Sequence, residues 1–229
     1  ATGILTVSML DTAPPIVTQT VNRVVEHTIE RVTQQVAPAA TALAPAPSNQ
    51  DLVTAALLLD ASREVSIYAA ETGTSTPALS IGTYLSKSRA IATAAQDILP
   101  QEVLVGFSDG TYISASRAHG GDGIIIYGFA DNAVLPKITS PVLVDSNNLK
   151  LGQTALAIST DGSATTGIVS KGVHTTLPDI GTGSAAVDLS GNLIGISAGG
   201  TPGFLIPSDR ITALLIATST TATSTAVAR

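Results

Sequence analysis

Few side chains in this sequence could do chemistry unaided. Three histidines, His27, His119 and His174, are the groups whose ordinary pKa lies near neutrality. They are widely separated and no His-Glu-x-x-His spacing occurs, so the pattern offers no metal cluster. His27 falls in a helical pattern and reads as solvent-facing; His119 and His174 fall in glycine-containing stretches and read as loop residues. Cysteine is absent, which removes thiolate nucleophiles, iron–sulfur ligation, thiolate zinc sites and disulfide scaffolds together. Asp51, and Asp60 with Glu64, read as solvated helix ends rather than an acid–base pair. The runs Gly120-Gly121-Asp122-Gly123 and Ala198-Gly199-Gly200 read as turns, because no Lys-Ser/Thr follows to make a phosphate loop. No cofactor or metal is expected.

Composition narrows the partners. Of 229 residues, 44% are hydrophobic and 12% charged, enough apolar material for a core and too little charge for a disordered polyampholyte. The net charge of −6 with 11 Lys and Arg argues against a nucleic-acid partner. Tryptophan is absent and aromatics are 3%, which weakens any reading based on stacking against bases or sugars. The longest apolar runs, Ile4–Leu10 and Ile211–Ala217, fall well short of the ~18 residues of a membrane span. A start at Ala1 rather than Met is expected of a processed chain, and the Thr/Ser/Ala-rich, Lys-poor composition points to an exported prokaryotic protein, secreted or at the cell surface.

Five regions of the chain differ in composition. Residues 1–15 end in Thr-Ala-Pro-Pro and predict an extended segment. Residues 16–36 lack Gly and Pro, and Val25, Ile29, Val32 and Val36 recur at heptad spacing, with Asn22 at the preceding a position. A polar Asn at a is a register device, and β-branched residues at both a and d lean toward three or more strands. The segment therefore reads as a self-associating helix, as one amphipathic helix on its own domain, or, given its many Val and Thr, as a strand. Residues 37–50 form a Pro/Ala linker, 51–217 the globular part, and 218–229 a Thr/Ser-rich tail that reads as strand or disorder.

The globular part opens on Ser48-Asn49-Gln50-Asp51, a capping-box pattern that predicts a helix over LVTAALLLDAS. The period then changes. VSIYAA, ALSIGTYLS, RAIATAA, EVLVGF, TYISASRA, GIIIYGF, ALAIS, TGIVS, AAVDL, LIGISA and GFLIP are short apolar runs with turn residues between them. Asp109-Gly110 and Gly191-Asn192 are hairpin-turn pairs by residue type. So many strands at this spacing predict an all-β sandwich or barrel pair. Ser208-Asp209-Arg210 is expected to cap a short closing helix of ITALLIA.

The order LSIGTYLSKSRAIATAAQDI, EVLVGFSDGTYISASRA, GGDGIIIYGF, LKLGQTALAIS, TTGIVS, GTGSAAVDLSGNLIGISAGG and GFLIPSDRI resembles a trypsin-like serine protease domain of the HtrA (high-temperature-requirement A) type. The resemblance spans residues 51 to 215 and is most specific in DLSGNLIGI followed by GFLIPSD. It implies two six-stranded antiparallel β-barrels with the active cleft between them, here with no PDZ domain following.

The resemblance also locates the catalytic positions. A Thr-Ala-Ala-His type motif carries the family's base; here Thr93-Ala94-Ala95 leads to Gln96. The family's Asp matches Asp122. A Gly-Asn-Ser-Gly-Gly type motif carries the nucleophile; ungapped counting puts Thr182 there and Ile180 at the oxyanion-hole Gly, and a two-residue slip would offer Ser184. An amide cannot take a proton from a hydroxyl and return it to a leaving group. A threonine nucleophile needs an adjacent base, and Ile resists the positive φ a glycine supplies. The expectation is a catalytically inactive domain serving as a self-assembling structural or scaffold protein, a homo-oligomer held through Asn22, Val25, Ile29, Val32 and Val36, with the tail adding a strand to a neighbour. A peptidase with a rearranged triad, using Thr182 or Ser184 and a displaced base such as His174, and a non-cleaving module holding peptide or protein in the cleft are the alternatives.

Overall fold

The computed structural model describes residues 46–224, with side chains to residue 216. The chain divides into two units, Ala1–Ala44 and Pro45–Arg229, and the description concerns the second. The predicted extended start, the 16–36 segment with Asn22, Val25, His27, Ile29, Val32 and Val36, and the linker up to residue 45 lie outside the described residues.

Helix α1 (Asn49–Arg63) begins on the predicted capping box. The Ser48 Oγ accepts the Asp51 N–H at 3.2 Å, and Asp51 Oδ2 accepts the Ser48 N–H at 3.0 Å. Two orphan amides of the first turn are thereby satisfied. Hydrogen bonds from the Ser48 hydroxyl and amide hold the Asp51 carboxyl below its ordinary range.

Six strands follow: β1 (Glu64–Ala69), β2 (Ser80–Leu85), β3 (Ala90–Ala94), β4 (Glu102–Phe107), β5 (Tyr112–Gly121) and β6 (Ile124–Phe129). They pair antiparallel in the order β1-β2-β3-β6-β5-β4, and β1 pairs β4 to close a barrel. Asp109-Gly110 makes the β4–β5 turn as predicted; the Asp109 carboxylate accepts the Thr111 N–H at 2.8 Å, and Gly110 takes φ +83°. The interior holds an edge-to-face aromatic group, with Tyr84 5.2 Å from Phe107 and 6.0 Å from Phe129 between ring centroids.

The second sheet has six strands in the order β12-β11-β10-β7-β8-β9: β7 (Thr154–Ile158), β8 (Ala164–Lys171), β9 (His174–Thr175), β10 (Ala185–Val187), β11 (Leu193–Ser197) and β12 (Leu205–Pro207). Its two edges meet at an isolated antiparallel bridge, His174 to Phe204, and the Thr175 N–H donates to the Gly203 carbonyl at 2.8 Å, which curls the sheet into a barrel. Its interior is aliphatic: Ala155, Ala157, Leu177, Ile180, Ala186, Ile194 and Leu205. The all-β pair of six-stranded antiparallel barrels is thus the architecture, and each of the eleven predicted runs supplies a strand. The two-residue β9 carries no apolar run to announce it, and it places His174 on a strand rather than in a loop. His119 is likewise a strand residue of β5, opposite Ile126.

Strands β3 and β6 explain how the barrels join. Side chains alternate across a strand, so one face of each fills the first barrel (Ile91, Ile125, Tyr127). The other face (Ala90, Ala92, Ala94, Ile124, Ile126) is buried too, against Leu156, Val187, Leu193, Ile196 and Ile206 of the second sheet. Both faces are buried and, apart from Thr93, carry apolar side chains, hence the nearly unbroken IIIY and AIATA runs. Ala56 of α1 and Ile211 of the closing helix seal this layer.

That closing helix, α2 (Ser208–Ser224), corrects two expectations. It extends through the Thr/Ser-rich stretch to residue 224, because no Gly or Pro interrupts residues 208–224. The predicted strand or disorder from 218 is therefore helix as far as it is described. Ser208 also does not spend its hydroxyl on a cap: its Oγ donates to the Val144 carbonyl at 2.5 Å, while Asp209 Oδ1 accepts the Ser146 N–H at 2.9 Å. Both bonds tie α2 to the segment between the barrels. No helix among the described residues is long and apolar enough to cross a membrane.

Small residues set the distance between the barrels. Ala92 is fully buried with the second barrel's aliphatic side chains beyond it. Ala92→Leu is expected to lower stability by about 1–3 kcal/mol through overpacking, read from the urea midpoint.

Candidate functional site

The positions that the family pattern marks as catalytic fall on three elements: Gln96 just after β3, Asp122 between β5 and β6, and residues 180–184 before β10. Two of the three are brought together. The Gln96 Nε2 donates to Ser80 Oγ at 2.9 Å. Ser80 Oγ lies 3.2 Å from Thr93 Oγ1, which donates to the Ile81 carbonyl at 2.6 Å. Gly183 stands directly against this group: a Cβ built on it would lie 2.0 Å from the Ile81 carbonyl oxygen and 3.0 Å from Ser80 Oγ. Gln96 and the 180–184 loop thus share the junction between the barrels.

Asp122 serves elsewhere. Asp122 and Gly123 are the two residues of the β5–β6 hairpin turn, with φ +51° and +82°. A two-residue turn with both φ positive selects Asp-Gly by backbone conformation alone. The Gly123 carbonyl accepts the Ala95 N–H at 2.7 Å, so the hairpin backbone does reach the residue before Gln96. The Asp122 carboxylate instead pairs with Arg210 Nη1 of α2 at 2.6 Å, with both side chains more than half exposed (59% and 52%). An ion pair so exposed is worth no more than about 1 kcal/mol.

Each residue of the 180–184 loop has a structural occupation. Ile180 is 2% exposed and belongs to the second barrel's interior. Its carbonyl accepts the Thr160 N–H at 3.1 Å and the Ser184 hydroxyl at 2.6 Å. Gly181 (φ +86°) gives its N–H to the Asp179 carboxylate at 3.0 Å. Thr182 Oγ1 reaches the Ala198 carbonyl at 3.5 Å, and the chain at Gly199 presses on the same side chain, since a Cβ there would lie 2.0 Å from Thr182 Oγ1. Ser184 is 1% exposed. Its burial and its bond to Ile180 leave that hydroxyl neither reachable by substrate nor next to a base.

Asp179 was not singled out from the sequence, although Asp followed two residues later by Gly is an Asx-turn pattern. Its second oxygen accepts the Gly200 N–H at 3.1 Å, so one carboxylate clips the 180–184 loop to the 198–200 segment. Ser80, Thr93 and Arg210 likewise carry no sequence signal of their roles, because their partners are remote in the chain.

Neither of the described histidines, His119 and His174, supplies a base at this junction. The His174 ring lies beside Phe204, with centroids 5.3 Å apart. Among the described residues, neither the His119 nor the His174 imidazole hydrogen-bonds to a hydroxyl, and no group of three His, Asp or Glu residues could hold a metal. Thr182 and Ser184 both meet carbonyl oxygens, which accept a hydrogen bond but do not remove a proton.

Gly183 is the most constrained point of the junction, with φ +89° and backbone where a Cβ would go. Gly183→Ala is expected to cost about 3 kcal/mol or more, since strain at positive φ adds to the steric clash. Chemical denaturation would measure it; a loss under about 1 kcal/mol would mean that the barrels are not held this close.

No family model matches this chain, and comparison with curated proteins finds no match.

Proposed function

We propose that this chain is a catalytically inactive relative of the HtrA-type trypsin-like proteases, used as a self-assembling structural or scaffold protein outside the cytoplasm of a prokaryotic cell. The observation that carries the reading is the junction itself. Gln96, an amide at the position the resemblance matches to the family's imidazole, is hydrogen-bonded to Ser80 at 2.9 Å. The two candidate nucleophilic hydroxyls end on the carbonyls of Ala198 and Ile180. The Asp-position carboxylate is engaged with Arg210. Losing one member of a triad costs ~10⁴–10⁶ in kcat, and here the base is replaced and its orienting partner is committed elsewhere.

Assembly is assigned to the heptad-spaced residues Asn22, Val25, Ile29, Val32 and Val36, with three or more copies favoured by the β-branched seam. The C-terminal stretch adds no strand to a neighbour as far as it is described, because the chain is helical to Ser224.

Two measurements test the reading. A fluorophosphonate probe is expected to leave the full chain unlabelled, and also Gln96→His, whose new imidazole would find the Asp122 carboxylate paired with Arg210. Stoichiometric labelling that disappears in Thr182→Ala or Ser184→Ala would establish a peptidase instead. Light scattering of the full chain at micromolar concentration is expected to give one defined oligomer that becomes monomeric on deletion of residues 1–37; a monomeric full chain would remove the assembly role.

A further inference from the structure

Two ionisable residues of α1 are buried at the place where the helix meets both barrels, and the candidate site uses neither. Asp60 and Arg63, one turn apart, are each 3% exposed. The Arg63 Nε donates to the Thr139 carbonyl, in the segment between the barrels, at 2.7 Å. Its Nη1 donates to the Gly191 carbonyl, in the β10–β11 turn, at 2.5 Å. Leu59 Cδ1 lies 3.0 Å from where a Gly191 Cβ would stand, so the helix is seated directly on that turn. One guanidinium therefore ties the last turn of α1 to two other elements, and Asp60 is buried beside it.

We propose that α1 is a proton-linked clasp, docking tightly on the barrel junction while Asp60 holds a proton and loosening as Asp60 ionises. Burial with Glu64 close by disfavours the carboxylate, and Arg63 and the Ile158 backbone only partly offset this, leaving Asp60 at about 7. Among the described residues, the elements packed against α1 supply no further counter-charge. Strands β7 and β10 carry no ionisable side chain, and β2 carries only Tyr84, which points into the first barrel's aromatic group. Asp188 in the β10–β11 turn is occupied by the Ser190 and Asn192 amides at 2.8 and 3.0 Å. Lys137, near Thr139, is exposed. Glu64 is itself raised by burial, which reinforces the direction.

The sign follows from proton counting. A carboxyl raised in the docked state binds more protons docked than free, where it titrates near ~3.9. Docking is then strongest below the free value and weakens as pH climbs toward the docked value, levelling off above it.

Amide hydrogen exchange on the full chain, corrected for intrinsic rates, reads this directly. Between pH 5 and 7 the opening constants of α1 amides are expected to rise by up to ~100-fold, while those of β3 and β6 rise much less. Asp60→Asn is expected to abolish the pH dependence of the helix. Opening of α1 that is independent of pH, equal pH dependence in Asp60→Asn, or strands that move in parallel with the helix would each overturn the clasp. If Asp60→Asn does not fold, carbon-13 carboxyl spectra of the wild-type chain decide: one aspartate titrating near neutrality supports the proposal, and completion of all carboxyl titrations well below neutrality overturns it.

Discussion

Strands β3 and β6 are, apart from Thr93, apolar on both faces, so the first barrel cannot stand alone in water without exposing Ile124 and Ile126, each now at most 2% exposed. Burying one such side chain contributes about 2 kcal/mol, and a whole layer of them outweighs any single polar contact in the molecule. The second barrel must cover that face. Three alanines on β3 let it come close, and closeness is the constraint that the rest of the junction obeys. Gly183 lies against the Ile81 carbonyl because the barrels meet there with no room for a side chain. Ser80, Thr93 and Gln96 form a hydrogen-bonded set because hydroxyls and an amide shut into such a seam must find partners inside it. The closing helix and α1 sit at the margins of the same layer through Ile211 and Ala56.

Packing of this kind shapes the 180–184 loop one residue at a time. Ile180 sends an aliphatic side chain into the second barrel and so fixes the start of the loop. Ser184 then closes back onto Ile180, Asp179 onto Gly181 and Gly200, and Thr182 faces the Ala198 carbonyl. Each bond is worth about 1 kcal/mol; the two within the loop fix its shape, and those from Thr182 and Asp179 hold the 198–200 segment against it.

Strands were legible in the sequence because their cause is local. Alternation, apolar runs and Asp-Gly turns depend on neighbours in the chain, and so does the capping box at Ser48 and Asp51. Two features misled for the same reason. The tail from residue 218 has strand-like composition, yet it continues a helix already nucleated by ITALLI, and propagation costs less than nucleation. Ser208 has the residue type of a cap, but its hydroxyl is drawn to Val144, a partner 64 residues away. Strand β9 exists because His174 and Thr175 pair with Lys171 and Val169 of β8, and His174 also bridges to Phe204 across the closing edge. The bond of Gln96 to Ser80, and the Arg210 partner of Asp122, could not be read from the sequence, since each is a contact between distant segments.

Asp122 shows how a matching residue can have two causes. Family pattern alone assigns it to orienting a base. The backbone assigns it to a turn with φ +51°, where Asp or Asn followed by Gly is selected whatever the chemistry nearby. The second cause is sufficient, so its presence adds no weight to a catalytic reading. The same logic extends to the junction as a whole. A hydrolase must keep a hydroxyl beside a base and amide hydrogens free for a developing oxyanion, which leaves polar groups waiting for substrate. Among the described residues, no buried side-chain nitrogen or oxygen lacks a hydrogen-bond partner. At the junction those partners are carbonyls, hydroxyls and a carboxylate of the chain itself. The side chains of the junction are thus held by the chain's own polar groups, and that bonding fixes the shape of the loop and of the seam beside it.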